Sequence, residues 1–448
     1  MDFNGREYVL GLDTEVPTSR GKRTYINLDN AATTPPFRAV MQAVNEFAPW
    51  YSSVHRGQGF KSRLSTDAYE EAHTVVRAFV GGNADEHIAI FGKNTTEAIN
   101  KLSYRLPLHK TDIVLISHLE HHSNDLPWRK RATVVRIPIL PDGSISKDDF
   151  LQLLDRYGKR VKLVAISGAS NVTGHMPDIH WFAKQAHAAG AQIFADCAQL
   201  AAHRAIDIKR LSDPEHLDYV AFSAHKMYAP FGCGALVGRR DTFARGTPEY
   251  VGGGTIASVT ARYTDWSTPP DSDEAGSPNV IGAMALVAAI KTLQEIGFER
   301  IAAHEAALTT HALLGLQELP GVKIYGSHKP DAASRSGVIP FTLAGMPAHL
   351  VAARLGYEWG IGVRSGCFCA QPYVMSLLEL DPNRVRSHIL HNRRDLVEGL
   401  VRISFGLYNT TEEIYMLMQA LAVIADGEHA PYSVDRRTGI YTPTGTSS

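Results

Sequence analysis

The stretch LDYVAFSAHKMYAPFGCGALVGR, residues 217–239, holds two short apolar runs, 217–223 and 234–239, joined by a polar link rich in Gly and Pro. Neither run alternates apolar with polar residues, so each reads as a strand buried on both faces of a sheet. Runs of the same kind lie N-terminal to it: AQIFAD (191–196), VKLVAIS (161–167), DIVLIS (112–117) and HIAIFG (87–92). Helix patterns separate them. KNTTEAINKLSYRL (93–106) follows one run, and PDIHWFAKQAHAAG (177–190) has Pro177 near its first turn and Gly190 near its end. Short strands interleaved with helices predict an α/β domain with a largely parallel sheet and right-handed crossovers.

From about residue 280 the texture changes. Residues 279–319 read as one long helix or as two with a break near Gly297. Strand-like VKIYGS (322–327) and SGVIPFTLA (336–344), helical PAHLVAARLGYEWG (347–360) and a closing strand and helix (400–424) predict a second, smaller α+β domain. The expected division is 30–285 for the large domain, with 1–29 and 286–448 forming the small one. The polar tail YSVDRRTGIYTPTGTSS (432–448) reads as frayed, and HILHNRRDLVEG (388–399) suggests no role.

Bulk properties narrow the function. The 448 residues exceed what one simple core organises. Lys and Arg number 45 against 46 Asp and Glu, a net charge of -1 that points to neither nucleic acid nor an anionic membrane. The start, MDFNGREYVLGLDTEVPTSRGKR, has no apolar leader core, and no apolar run approaches the about 18 residues that span a bilayer. A cytoplasmic location with reduced thiols is the expectation.

In an open α/β sheet, ligands gather at the carboxyl ends of the strands. NTTEAIN places Thr95 and Thr96 at a helix N-terminus, where backbone N–H groups favour a phosphate, unless Thr95 is simply an N-cap. ISHLEHHSN carries His121 and His122. The next two motifs end strands in Asp196, with Gln199 three residues on, and in Ser223, His225 and Lys226. Singly each has a structural explanation. Together, a lysine and a carboxylate on neighbouring strand ends are what pyridoxal phosphate requires: an amine for its aldehyde and a partner for its ring nitrogen.

Two of the four cysteines, Cys197 and Cys233, sit in apolar runs and read as buried packing residues. Cys367 and Cys369 lie in the turn-like GIGVRSGCFCAQPYV (360–374). A Cys-x-Cys disulfide closes a strained ring, and a zinc site needs further ligands at suitable spacing, so no metal is expected. A nucleophile or packing residues remain.

In order, LDNAATTPP (28–36), VHRG (54–57), NTTEAIN (94–100), EHHSNDLPW (120–128), SNVTGHMPDI (170–179), ADCAQ (195–199), FSAHKMYAPFGCGAL (222–236), EAGSPNVIG (274–282), RSGCFCAQP (364–372) and RISFGLYNT (402–410) resemble the class V, fold-type I pyridoxal-phosphate enzymes. Within them the chain is similar to the group II cysteine desulfurases and selenocysteine lyases. The resemblance implies a large domain with a mostly parallel seven-stranded sheet between helices, the small domain carrying the cysteine loop, and a homodimer with shared sites. It implies Lys226 as Schiff-base lysine, Asp196 at the ring nitrogen, His121 stacked on the ring and moving protons, and Gln199 at the phenolic oxygen. Thr95, Thr96, Ser223 and His225 would hold the phosphate, with Ser277 reaching the phosphate of the neighbouring subunit. Arg402, Asn171, Ala32 and Arg364 would line the substrate side, Arg402 clamping the carboxylate.

The family's loop pattern, R-x-G-H-H-C-A, lays Cys369 on the catalytic cysteine, while Cys367 and Phe368 replace its two histidines. The Cys-Phe-Cys form resembles the loop of molybdenum-cofactor sulfurases. The implied reaction converts L-cysteine to L-alanine, leaves a persulfide on Cys369 and passes sulfur to an acceptor protein that the motifs do not name. Selenocysteine lyase, carbon–sulfur lyase and class V aminotransferase chemistry are the alternatives. Cys367 stays open between packing and a second, persulfide-relaying thiol.

Overall fold

The computed structural model describes residues 3–55, 57–427 and 431–444. Arg56 of the VHRG motif and the last four residues of the tail lie outside this description.

Seven strands form the central sheet, in the spatial order His87–Gly92, Gly234–Arg239, Tyr219–Ser223, Gln192–Asp196, Val161–Ser167, Ile113–Ser117, Thr133–Ile137. All run parallel except Gly234–Arg239, which pairs antiparallel with both neighbours. That strand returns directly from the Lys226 turn, and a link this short cannot make a parallel crossover. The absence of alternation has its cause in burial: Tyr219–Ser223 and Ile113–Ser117 are buried at every position. One apolar core fills one face with Val164, Ile193 and Val220, and another fills the opposite face with Leu163, Phe194 and Ala221. The outermost strand, Thr133–Ile137, escapes the sequence reading because four of its five residues are exposed or half-buried, as befits a sheet edge.

Residues 280–318 form two helices, Val280–Ile296 and Phe298–Glu318, bent by 78° at Gly297. Gly297 has φ 90°, a left-handed conformation that glycine adopts without penalty. The first helix packs into the core of the large sheet, through Leu286, Ile290 and Leu293. The second, from Leu308 onward, packs on a separate core with Phe341, Leu355, Ile403 and Leu417. There a four-stranded antiparallel sheet runs in the order Val322–Ile324, Val338–Leu343, Leu400–Ser404, Arg364–Gly366.

The expectation of a frayed tail is overturned over its described part. Tyr432–Val434 and Tyr441–Pro443 form a β-hairpin. Its anchor is Tyr432, whose hydroxyl donates to Glu358 (3.1 Å) and whose ring lies under the Arg354 guanidinium at 5.1 Å. A polar composition hid an amphipathic contact. Among the described residues no single helix is long and apolar enough to cross a membrane.

Candidate active site

The carboxyl ends of the parallel strands open onto a cavity of about 350 Å³. Thirteen of the fourteen candidate residues line it: Ala32, Thr95, Thr96, His121, Asn171, Asp196, Gln199, Ser223, His225, Lys226, Arg364, Cys369 and Arg402. The fourteenth, Ser277, stands apart in a second cavity beside His55, Gly276 and Pro278.

At one end, helix Thr95–Arg105 points its N-terminus inward. Its cap is Asn94, whose side chain accepts from Glu97 N–H at 3.0 Å, so Thr95 is not the N-cap. The Thr95 hydroxyl lies 2.6 Å from Ser223 Oγ, and Thr95 N–H donates to the same oxygen at 2.8 Å. Thr96 reaches Ser123 Oγ at 2.7 Å. This cluster of hydroxyls on a helix N-terminus suits a phosphate. His225 borders it as a neutral imidazole, since burial and Lys226 push its pKa down to about 4.

In the middle stand Asp196 and Lys226. Asp196 is 5% exposed and, among the described residues, its carboxylate takes one hydrogen bond, from Ala198 N–H at 3.0 Å. A carboxylate so poorly supplied with donors calls for a protonated ring nitrogen or another cation. Burial raises its pKa, and the Ala198 N–H and Lys226 oppose the rise. Burial pushes the Lys226 ammonium down to about 8, with Asp196 opposing and Arg402 adding to the fall. The amine is therefore far more available near neutral pH than an ordinary lysine. Gln199 donates to Ala31 C=O at 2.7 Å.

His121 forms the wall. Burial, with Lys226, His122 and Arg402 nearby, lowers its pKa to about 3, so the ring is neutral. Ser123 N–H donates to Nδ1 at 3.1 Å, which places the ring proton on Nε2. Glu120, unremarked in the sequence reading, rivets this segment beneath the site. It accepts from Ser117 Oγ, from Ser167 N–H (2.9 Å) and Oγ (2.6 Å), and from Asn124 Nδ2 (2.6 Å). Burial pushes its carboxyl up to about 7 against those bonds.

At the mouth sits the Cys-Phe-Cys loop. Phe368 and Cys369 have φ 52° and 54°, the left-handed region that costs non-glycine residues of order 1–3 kcal/mol each. Three hydrogen bonds hold the loop: Asn171 Nδ2 to Phe368 C=O (2.7 Å), His122 N–H to Cys369 C=O (2.6 Å) and Gln371 N–H to His122 Nε2 (3.1 Å). Cys369 is exposed and lines the cavity. Cys367 turns toward the large core, and burial raises its thiol pKa. Phe368 occupies the space over Arg402, whose guanidinium lies 4.8 Å from its ring centroid. Cys197 and Cys233 are buried, their thiols likewise pushed up.

Arg402 is 2% exposed. Its Nη1 donates to Asn171 C=O (2.9 Å) and its Nη2 to Asp29 (2.7 Å), while its buried Nε has no partner among the described residues. Asp29 went unsingled in the sequence although it lies in LDNAATTPP; nothing in a single sequence shows which of two adjacent polar residues faces the site. The donor set fits a ligand with a phosphate at one end, a protonated ring nitrogen, a carbonyl carbon for the amine, and a carboxylate-bearing substrate beside it.

The family model for aminotransferase class-V matches residues 26–417. A probable cysteine desulfurase of Mycolicibacterium paratuberculosis is 36% identical over 408 residues, 89% of this chain; the chain spans 55% of that relative's length. A probable cysteine desulfurase of Halalkalibacterium halodurans is 36% identical over 419 residues, covering 92% of this chain and 94% of its own. Among solved structures, the apo cysteine desulfurase of Thermococcus onnurineus NA1 superposes with a TM-score of 0.79 at 31% identity, covering 90% of this chain and 95% of that one.

Proposed function

The chain belongs to the class-V aminotransferase family, and from that premise we propose that it is a pyridoxal-phosphate-dependent cysteine desulfurase, taking sulfur from L-cysteine onto Cys369 and releasing L-alanine. The observation that carries this reading is an exposed cysteine on the wall of the same cavity as Lys226, Asp196 and Arg402. Its relatives named as cysteine desulfurases support it.

When bound, pyridoxal phosphate supplies an electron sink for the pair released as the substrate α-proton leaves. Thr95, Thr96, Ser223 and His225 would hold its phosphate, Asp196 its ring nitrogen and Gln199 its phenolic oxygen, with His121 as the stacking wall. Lys226 would supply the amine that holds its aldehyde. Arg402 takes the substrate carboxylate, with Asn171, Ala32 and Arg364 beside it. The Lys226 amine, its pKa lowered to about 8, accepts the α-proton. The Cys369 thiolate attacks the substrate sulfur. The S–S bond forms as the Cβ–S bond breaks, and the C–S electron pair stays with Cβ. A proton delivered to Cβ and the proton that Lys226 returns to Cα complete alanine, and the persulfide stays on Cys369 for an acceptor protein. Ser277 serves the phosphate of the second subunit in a homodimer. Cys367, half-buried against the large core, packs and takes no part.

The test is product analysis of holoenzyme with L-cysteine. Alanine in step with transferable sulfur supports the reading. Pyruvate and ammonia would make the chain a carbon–sulfur lyase, and loss of the amino group without sulfur release would make it an aminotransferase.

A further inference from the structure

Arg364 and Arg402 stand directly opposite one another on adjacent antiparallel strands. Like charges in that register repel, and the sheet tolerates them only with a counter-ion at hand. Asp29 is that counter-ion. Its Oδ1 lies 2.7 Å from Arg402 Nη2 and its Oδ2 lies 3.7 Å from Arg364 Nη1. The carboxylate does not hang from a free loop. Asp29 N–H donates to Asn27 Oδ1 (3.1 Å), Ser404 N–H donates to Leu28 C=O (2.7 Å) and Asn30 Nδ2 donates to Ser404 C=O (3.0 Å), so the backbone on either side is pinned to the Arg402 strand.

Fixed charges at this end of the cavity then number two positive and one negative. Lys226 and Asp196 carry opposite charges, and His121 is neutral, so these residues leave the difference unchanged. One positive charge is unmatched. Arg402 meets it with a buried Nε that has no partner among the described residues, while Arg364 is 57% exposed at the mouth. A ligand carboxylate on Arg402 completes the charge balance, with Asp29 hydrogen-bonded to Arg402 and within 3.7 Å of Arg364. A second ligand carboxylate at Arg364 meets a guanidinium whose charge Asp29, 3.7 Å away, already offsets.

We propose that Asp29 is a specificity-determining residue: it turns a two-arginine cluster into a site for one carboxylate, admitting monocarboxylic amino acids and refusing dicarboxylic ones. This rests on the proposed desulfurase reading for taking the cavity as the substrate site. Without Asp29 the same two arginines would suit a dicarboxylate.

The experiment compares propionate and succinate binding to holoenzyme by calorimetry, which needs no turnover. A chain that makes no alanine from L-cysteine can therefore still pass or fail it. Wild type is expected to bind succinate no better than propionate. In Asp29→Asn the succinate preference should rise by about tenfold or more, because the charge that offsets Arg364 is removed. Asp29→Glu, which keeps the charge, should restore the wild-type ratio, and Asp29→Asn with Arg364→Ala should lose the gain. A ratio within twofold of wild type in folded Asp29→Asn overturns the proposal, as does a gain that survives Arg364→Ala, or no carboxylate binding in any variant.

Discussion

At the scale of single residues, the site works by moving protonation states with burial. Lys226 is the plainest case. An ordinary lysine titrates near 10.4, and this one is pushed down to about 8 by desolvation, with Asp196 pulling the other way. Only the neutral amine captures an aldehyde. Capture of added pyridoxal phosphate by apoprotein should therefore accelerate about tenfold per pH unit below 8 and level off above it, followed by stopped-flow absorbance. Asp196→Asn removes the group that favours the ammonium, so its midpoint should move to lower pH. A wild-type midpoint near 10 would contradict this account of the pocket. The sequence announced Lys226 and Asp196 because both follow apolar runs, where a charge is out of place. It did not announce Glu120 or Asp29, because their importance is a matter of what faces them across the fold. Ser123, which orients His121, was hidden in the same way.

At the scale of elements, the cysteine loop is set by backbone packing that the notice of Cys-x-Cys spacing does not reach. Gly399, at the end of a segment with no sequence-level role, lies against Gly366: a Cβ on Gly399 would come within 2.6 Å of the Gly366 Cα. The two glycines let strand Arg364–Gly366 lie close to strand Leu400–Ser404 and so aim Cys369 inward. Gly399→Ala should push the loop outward, cutting sulfur transfer by an order of magnitude or more while leaving the bound cofactor's spectrum unchanged. A wild-type rate would show that the loop position does not depend on this contact. Element identity was legible where burial was uniform, as in Tyr219–Ser223, and was missed at some partly buried edges. Thr133–Ile137 and the C-terminal hairpin are both edge elements, whose mixed composition carries no clear period.

At the scale of the molecule, Glu305 on the second long helix ties the two cores together. It is 5% exposed, with His203 Nδ1 at 2.7 Å from Oε1 and Arg204 Nη1 donating to Oε2 at 2.7 Å. Burial raises its pKa, but His203 and Arg204 outweigh it and hold the carboxyl at about 2. A carboxyl depressed on folding stabilises the protein above its unfolded pKa of about 4.3, and that stability is lost as pH falls toward 2. Glu305→Gln should cost about 3–5 kcal/mol in denaturant unfolding, by leaving His203 and Arg204 without their charged partner, and should flatten the acid-unfolding curve between those limits; a loss below about 1 kcal/mol would contradict the clamp. The central claim is that this cavity hands sulfur to Cys369. Its most direct test is intact-protein and peptide mass measurement after holoenzyme meets L-cysteine without reductant. One added sulfur atom on the peptide carrying Cys369, matched by alanine and absent in Cys369→Ala, is the predicted result. Alanine formed at the wild-type rate by Cys369→Ala, or sulfur found on another cysteine, would contradict it.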